Sequence, residues 1–464
     1  MNRMKRFIVM AAVALFVANC GLYKKYERPE AIEELYNLSA ASTDYTTEDS
    51  ASVAYLGWRE LFTDPYLQSL IEKGLEANTD LKTAELRVEQ AKTALSIARL
   101  SYLPSFNFAP EAGIGEFKID KYDVFLGRTY NVPVAASWEL DIFGKKTNSK
   151  RAAGASFEMT KDYMQAVKTG LISGIATQYY TLLMLDEQLC IAVESAKKMG
   201  ESVRVIKAMK EAGMANEVAV SQMEGAWYEI NTAVEDIKRA ISELQNSLSV
   251  TVGMTPQNIE RGVLDSASFP DMLAGGIPVQ YLSRRPDVRA AENQLAAAYY
   301  NWNGSRAKMY PAISLSGVAG WTNSLGTSII NPGGLLLNAA ASLAQPLFNS
   351  GAIRGEAKIN RAERDAAALA FKQAVLDAGA EVNNALTLYQ TALAKEELRE
   401  KQLASLALAA EKTQKLMQYT STPYLEVLTA QLSLLDAQNA CAQDKFEKIQ
   451  AVINLYRALG GGQQ

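Results

Sequence analysis

The chain has 464 residues, with 47 Lys and Arg against 51 Asp and Glu for a net charge of −4, and it contains no histidine. So balanced a charge offers no basic field for a phosphate backbone, which argues against nucleic acid as a partner. The lack of histidine removes the commonest general base and the commonest metal ligand, and most familiar hydrolase and zinc chemistry with them, so an enzyme is not expected.

The N-terminus reads as an address. Arg3, Lys5 and Arg6 precede an apolar run from Phe7 to Ala18, too short for the ~20 residues that span a bilayer. Val17-Ala18-Asn19-Cys20 then resembles a bacterial lipobox, in which the cysteine is lipidated and begins the mature protein. Asn19 stands where Gly, Ala or Ser is usual, and an ordinary signal peptide with a chance cysteine is the alternative. On the lipobox reading, residues 1–19 are a lipoprotein signal peptide and 20–63 an extended, lipid-anchored segment. No later stretch has 18 uninterrupted apolar residues, so membrane entry requires strands or lipid.

Proline spacing marks the helices. None of the 13 prolines falls between Pro133 and Pro256 or between Pro346 and Pro423. A proline inside a helix costs about 3 kcal/mol, so these gaps are where very long helices can run. Lys146 to Lys210 and Gly351 to Met417, rich in Ala, Leu, Glu, Lys and Gln, each predict a helix of ~100 Å. Shorter helices are expected from about Asn78 to Tyr102 and from about Asn216 to Val252. The second long segment has two apolar seams, one through Ala367, Phe371, Ala374, Ala378, Val382, Ala385, Tyr389 and Ala392, the other through Leu369, Leu376, Ala380, Leu386 and Leu393. Two seams imply neighbours on both sides, as in a bundle or a closed wall of helices.

The chain is internally duplicated. Asp80/Asp287, Ala84/Ala291, Glu85/Glu292, Ala91/Ala298, Arg99/Arg306 and Pro104/Pro311 are identical pairs at an offset of 207 residues, while Glu217, Val218 and Gln222 match Glu426, Val427 and Gln431 at an offset of 209. Each half repeats one order: short helix, strands, long helix, turn, medium helix. Residues 64–270 form the first repeat and 271–464 the second, which replaces the three domains that length alone allows.

Each repeat carries two strand candidates, Ser105 to Lys118 with Arg128 to Phe143, and Ala312 to Thr322 with Leu335 to Phe348. All are long enough to cross a hydrocarbon core at a tilt. Four strands cannot close a barrel, so several chains must share one if these strands enter lipid. Soluble hairpins capping a helical bundle are the alternative. Phe106, Phe108, Tyr122, Phe125, Tyr130, Trp138 and Trp321 are candidates for an interfacial aromatic belt, or for ordinary strand packing.

Several segments together resemble the TolC-like outer-membrane efflux proteins, especially the lipid-anchored branch: residues 58–67 (WRELFTDPYL), 138–144 (WELDIFG), 284–288 (RRPDV), 345–348 (QPLF), 424–428 (YLEVL) and 455–461 (LYRALGG). The resemblance implies a mainly α protein with membrane β structure. A homotrimer would form a long-helix α-barrel in the periplasm, with four strands per chain making a 12-stranded β-barrel in the outer membrane. It also implies a periplasmic adaptor and an inner-membrane pump as partners, outer-membrane lipid around the strands and no cofactor beyond a lipid on Cys20. The function is then a passive exit duct; a periplasmic helical lipoprotein acting as adaptor or scaffold is the runner-up.

The same resemblance places a narrow tip at the two turns between long and medium helices. Candidate gate residues are Glu217, Glu426, Thr422 and Thr429, with Thr429 where the family commonly has an aspartate. Carboxylates around a threefold axis would favour cations. Equally, Asn216 and Thr422 are candidate N-caps, and the two glutamates would then serve helix N-termini. Ser195 and Lys198 have the SxxK spacing of some acyl-serine enzymes but sit within a predicted helix without companion motifs. Cys190 and Cys441 form no CxxC pair and read as packing residues.

Overall fold

The computed structural model describes residues 22, 24–30, 57–120, 123–266, 269, 283–322, 334–346, 348–419 and 423–461. Helices α1 (Trp58–Leu61), α2 (Pro65–Ala77) and α3 (Thr79–Leu100) lead into strands β1 (Ser105–Phe108), β2 (Glu111–Asp120) and β3 (Asp123–Leu140). The long α4 (Lys145–Glu211) and medium α5 (Glu217–Val252) follow. The second series is α6 (Pro286–Ala307), β4 (Ala312–Thr322), β5 (Gly334–Ala344), α7 (Ala352–Tyr419) and α8 (Tyr424–Ala458). The two long helices have 67 and 68 residues, as the proline gaps predict.

Duplication extends to backbone detail. Helices α3 and α6 begin and end 207 residues apart, as do the starts of α4 and α7 and of α5 and α8. Glycines with positive φ recur at the same offset: Gly144 and Gly351 before the long helices, Gly253 and Gly460 after the medium ones. Gly253 and Gly460 close their helices alike, with Met254 N–H donating to the Ser249 carbonyl and Gly461 N–H to that of Tyr456. A Cβ on Gly253 would lie 2.9 Å from the Ala77 Cβ, and one on Gly460 3.2 Å from the Arg285 Cα, so each end docks against the turn before its own repeat's short helix.

By its contacts the chain divides into two compact units, each drawn from both repeats. The first comprises residues 1–29, 87–161 and 290–372 and contains the sheet. The second comprises residues 30–86, 162–289 and 373–464 and is helical. In the second, Asp64 caps α2 by accepting from Tyr66 N–H at 2.9 Å, while its other oxygen takes the Tyr179 hydroxyl at 2.5 Å. Tyr179 in turn accepts from Gly262 N–H at 3.0 Å, which ties α2, α4 and the segment after α5 together.

Arg285, within the motif at 284–288, is the principal buried cation of that unit. Its side chain is 5% exposed and forks onto Asp287 at 3.0 and 2.7 Å, reaches Glu381 on α7 at 2.7 Å and donates to the Ala458 carbonyl at the end of α8 at 2.9 Å. One guanidinium thus joins the start of α6, the middle of α7 and the end of α8 in a bidentate geometry that lysine cannot copy. Burial pushes the Asp287 carboxyl up, but the hydrogen bonds and charge of Arg285 outweigh it, so its pKa lies below the usual value.

In the first unit the sheet order is β1/β2–β3–β4–β5, antiparallel throughout. The expected strand from Ser105 to Lys118 is two segments, yet both pair with β3 in one register: Phe108 opposes Val134 and Glu111 opposes Asn131. The interruption covers Ala109 and Pro110, which face Pro133 and Val132, and prolines have no N–H to give the ladder. Functionally the sheet has four strands. β4 matches its expected span; β5 stops at Ala344, short of the expected Phe348.

Arg285→Ala should destabilise the protein by about 2–4 kcal/mol and Arg285→Lys should recover less than half of that, read as thermal midpoints in detergent. The depressed Asp287 pKa gives a second outcome. Its stabilisation is full above about pH 4 and fades as pH falls through the lowered value, so the wild-type midpoint should drop below about pH 4 while Asp287→Asn shows a flatter acid limb.

Candidate functional site

The sheet has two chemically distinct faces. Strand register places Phe106, Val134, Trp138, Leu315, Trp321, Leu335, Leu337 and Leu343 on one side, and Ser105, Asn107, Ser137, Glu139, Ser314, Ser316, Asn338 and Ser342 on the other. The apolar side is open: Phe106 is 73% exposed and Leu337 70%. Its run from Val132 to Leu140 along β3 is about 27 Å at ~3.4 Å per residue, of the order of the ~25 Å apolar band of outer-membrane barrels. The other side is more polar, with Val318 and Leu336 the large apolar residues on it, and it sets the Ser314 and Ser342 hydroxyls 2.9 Å apart. Trp138 donates its indole N–H to the Tyr102 carbonyl at 2.7 Å, the half-apolar, half-polar setting typical of a membrane interface. Of the other belt candidates, Tyr122 and the Phe125 side chain lie outside the described residues.

Only one of the two seams on α7 is filled within the chain. Ala367, Phe371, Ala378, Val382, Ala385 and Ala392 are buried, whereas Leu369, Leu376 and Leu393 are exposed. Helix α3 likewise presents Leu86, Ile97 and Leu100 to solvent. The bare seams lie on the helices adjoining the outer strands, α3 running into β1 and α7 following β5.

At the turn between α4 and α5, Asn216 caps α5 by accepting from Ala219 N–H at 2.9 Å, as its position suggests. Glu217 is exposed, in the first turn of α5, and forms an ion pair with Lys210. At the other turn, α8 starts at Tyr424 with Pro423 as N-cap, one residue later than a Thr422 cap would give, and Thr422 lies outside the described residues. Glu426 and Thr429 are exposed on the first turns of α8. Glu217 is thus the first residue of its helix and Glu426 the third, so the structural offset of 207 separates two residues that sequence matching pairs at 209.

Beneath these turns Val203, Ile206, Val220, Met223, Met417 and Val427 form one apolar cluster from four helices. Polar links that no spacing rule revealed tie the helices there. Tyr424 hydroxyl donates to Gln222 at 2.7 Å, Gln431 donates to Ser202 at 2.9 Å, and Lys207 pairs with Glu224. Gln222 and Gln431 were visible as a repeated pair, but each has its own partner. Farther along, Asp444 of α8 accepts from Arg399 at 2.7 Å and Lys395 at 3.4 Å, both on α7. Lys198 of the SxxK spacing is paired with Glu194 at 2.7 Å, and Cys190 and Cys441 are free thiols.

The model of the family described as outer membrane efflux protein matches the chain twice, over residues 70–254 and 277–461. This chain belongs to the outer membrane efflux protein family. It is 27% identical over 456 residues to the cation efflux system protein CusC of Escherichia coli O6:H1, across 97% of this chain and 98% of that one. It is also 27% identical over 464 residues to the probable outer membrane lipoprotein SilC of Salmonella typhimurium, across 98% of each. The structure of the outer-membrane channel OprN superposes with a TM-score of 0.83 at 25% identity, covering 95% of this chain and 98% of that one.

As a member of this family the protein is an outer-membrane exit channel for efflux, built as a helical barrel in the periplasm and a β-barrel in the membrane. The adaptor alternative falls away, because both repeats match the channel family with their strands included. The apolar strand face is then the lipid face, and the serine-rich face borders the aqueous path. Of Gly317 and Gly320 on β4, Gly320 sits in the closer approach. A Cβ there would collide with the Val132 carbonyl oxygen and come within 2.7 Å of the Pro133 Cα, so β3 and β4 approach only because Gly320 has none. Gly320→Val should therefore abolish heat-sensitive oligomers in outer-membrane fractions, as seen on unheated gels, while leaving helical circular dichroism largely intact.

Proposed function

We propose that three copies of the chain form the channel, each contributing its four-stranded sheet to a 12-stranded barrel. The carrying observation is the pair of outer strands, β1/β2 and β5, whose far sides have no partner among the described residues, on a sheet with a lipid-compatible face. Open edges in hydrocarbon cost several kcal/mol for every unmade bond, so closure has to come from other copies. Two copies would give eight strands, an interior that side chains fill; three give the first barrel with room for an aqueous bore. The bare seams on α7 and α3 supply the matching contact between helices.

The channel acts without a catalytic step or cofactor, receiving small molecules from an inner-membrane pump through a periplasmic adaptor that docks at the helix turns. Residues 1–19 are a lipoprotein signal peptide and Cys20 carries the lipid, a reading supported by the lipobox-like sequence and by similarity to a probable lipoprotein. Residues 20–63 are the anchored segment, 64–270 and 271–464 the two repeats. Glu426 and Thr429 on α8 and Glu217 at the other turn form the tip, with Thr422 assigned to it from the sequence. Among the described residues Glu426 makes no ion pair, whereas Glu217 is neutralised by Lys210, so Glu426 is the better candidate for a charged ring.

Purified protein should run as a heat-sensitive trimer and conduct ions in planar bilayers; a monodisperse single copy would overturn the assignment of three. Glu426→Gln should lower the cation-to-anion permeability ratio about twofold or more, and Glu217→Gln should change it much less.

A further inference from the structure

The segment after Cys20 is held by the protein. Residues 24–29 have no regular structure, and their burial is selective: Leu22 is 1% exposed and Tyr26 and Arg28 are half-buried, while Lys24, Lys25 and Glu27 face water. Three positions on two helices receive it. The Asn148 amide, wholly buried in the first turn of α4, gives one proton to the Leu22 carbonyl and the other to that of Gly144, both at 2.8 Å. On α6 the Tyr300 hydroxyl accepts from Tyr26 N–H at 3.1 Å, and Tyr299 meets the Tyr26 ring edge-on at 6.0 Å. Glu292 takes both ends of the Arg28 fork at 2.8 and 2.7 Å. All of these residues belong to one compact unit.

The duplication supplies an internal control. At the offset of 207, Asn148 corresponds to Gly355, which has no amide to offer, and Tyr299 and Tyr300 correspond to Lys92 and Thr93. The Thr93 hydroxyl already donates to the Glu89 carbonyl at 2.9 Å. Only Glu292 keeps its counterpart, Glu85. The repeats share a backbone plan down to their glycines, yet Asn148, Tyr299 and Tyr300 occur in one of them alone.

We infer that Asn148, Tyr300 and Glu292 form a receptor site for the chain's own residues 22–28, present at one of two repeat-related positions, and that it fixes where the N-terminal lipid enters the membrane. Cys20 is two residues from Leu22, a reach of at most ~7 Å. Asn148 lies eight residues beyond the end of β3, so the acyl chains are delivered beside the base of the sheet. Each chain thereby sets one lipid at one defined place, and the strap staples α4 of the first repeat to α6 of the second. The lipid's position rests on the lipidation of Cys20 proposed above; the seating of the strap does not.

The test is hydrogen exchange of the 22–30 peptide in purified full-length protein, with intact mass to read acylation. Arg28→Glu and Glu292→Arg should each speed exchange about tenfold or more, as loss of a bidentate charged pair worth ~1.4 kcal/mol requires, and the double variant should return to within about threefold of wild type. Tyr300→Phe, which keeps the ring, should speed the Tyr26 amide about fivefold and covers the case in which the charge reversals do not fold. The same pattern is expected in a Cys20→Ala protein exported with a non-lipoprotein signal peptide. Unchanged exchange in Tyr300→Phe and in the single reversals, or a double variant as fast as the singles, would overturn the receptor site. A protected strap with no acyl mass would uphold the site and remove only the lipid.

Discussion

A β-strand in hydrocarbon has nowhere to place an unmade hydrogen bond, and this constraint organises the molecule. Water pays for an exposed edge on a soluble sheet, whereas lipid cannot. The four-stranded sheet ends in β1/β2 on one side and β5 on the other. A chain built this way is incomplete alone. The apolar strand face, the exposed leucines of α3 and α7 and the small polar residues of the opposite face are what a part of a closed wall carries when its neighbours are other copies of itself.

Much of this was legible because the strongest local signals are also the structural ones. The helices expected inside the proline gaps, Lys146 to Lys210 and Gly351 to Met417, match α4 and α7 to within two residues at each end, since a single proline costs more than any helix-interior preference can restore. The 207-residue offset survived because it is pinned by residues with steric duties, such as Pro104/Pro311 and the glycines at 144, 351, 253 and 460. The first strand was misjudged in detail for the same physical reason. Pro110, opposite Val132 and next to the Ala109–Pro133 pair, removes ladder bonds locally without shifting register, so a strand continuous in direction is broken in hydrogen bonding.

What could not be read were links between residues far apart in the chain. Arg285 stands in a charged motif, yet it is buried, and Asp287, Glu381 and the Ala458 carbonyl converge on it from three segments. Asp64 caps α2 with one oxygen, but its second holds Tyr179, 115 residues away. Sequence spacing reports neighbours on one element; it is silent on which elements meet. The tip shows the consequence: matching at an offset of 209 pairs Glu217 with Glu426, while the helices themselves start 207 apart and give the two carboxylates different places in their first turns.

Duplication gives a fold economy at the cost of distinctness, because two near-copies of one surface would accept the same ligand. A wall of repeats needs sameness where long helices pack and difference where something must attach once. The chain meets both demands by residue type on a common backbone. Gly144 and Gly351 open the long helices identically, and four residues later Asn148 and Gly355 part company. Side-chain chemistry at a few positions thus breaks a symmetry that the main chain preserves, and where it breaks is where the chain binds something that is not a repeat.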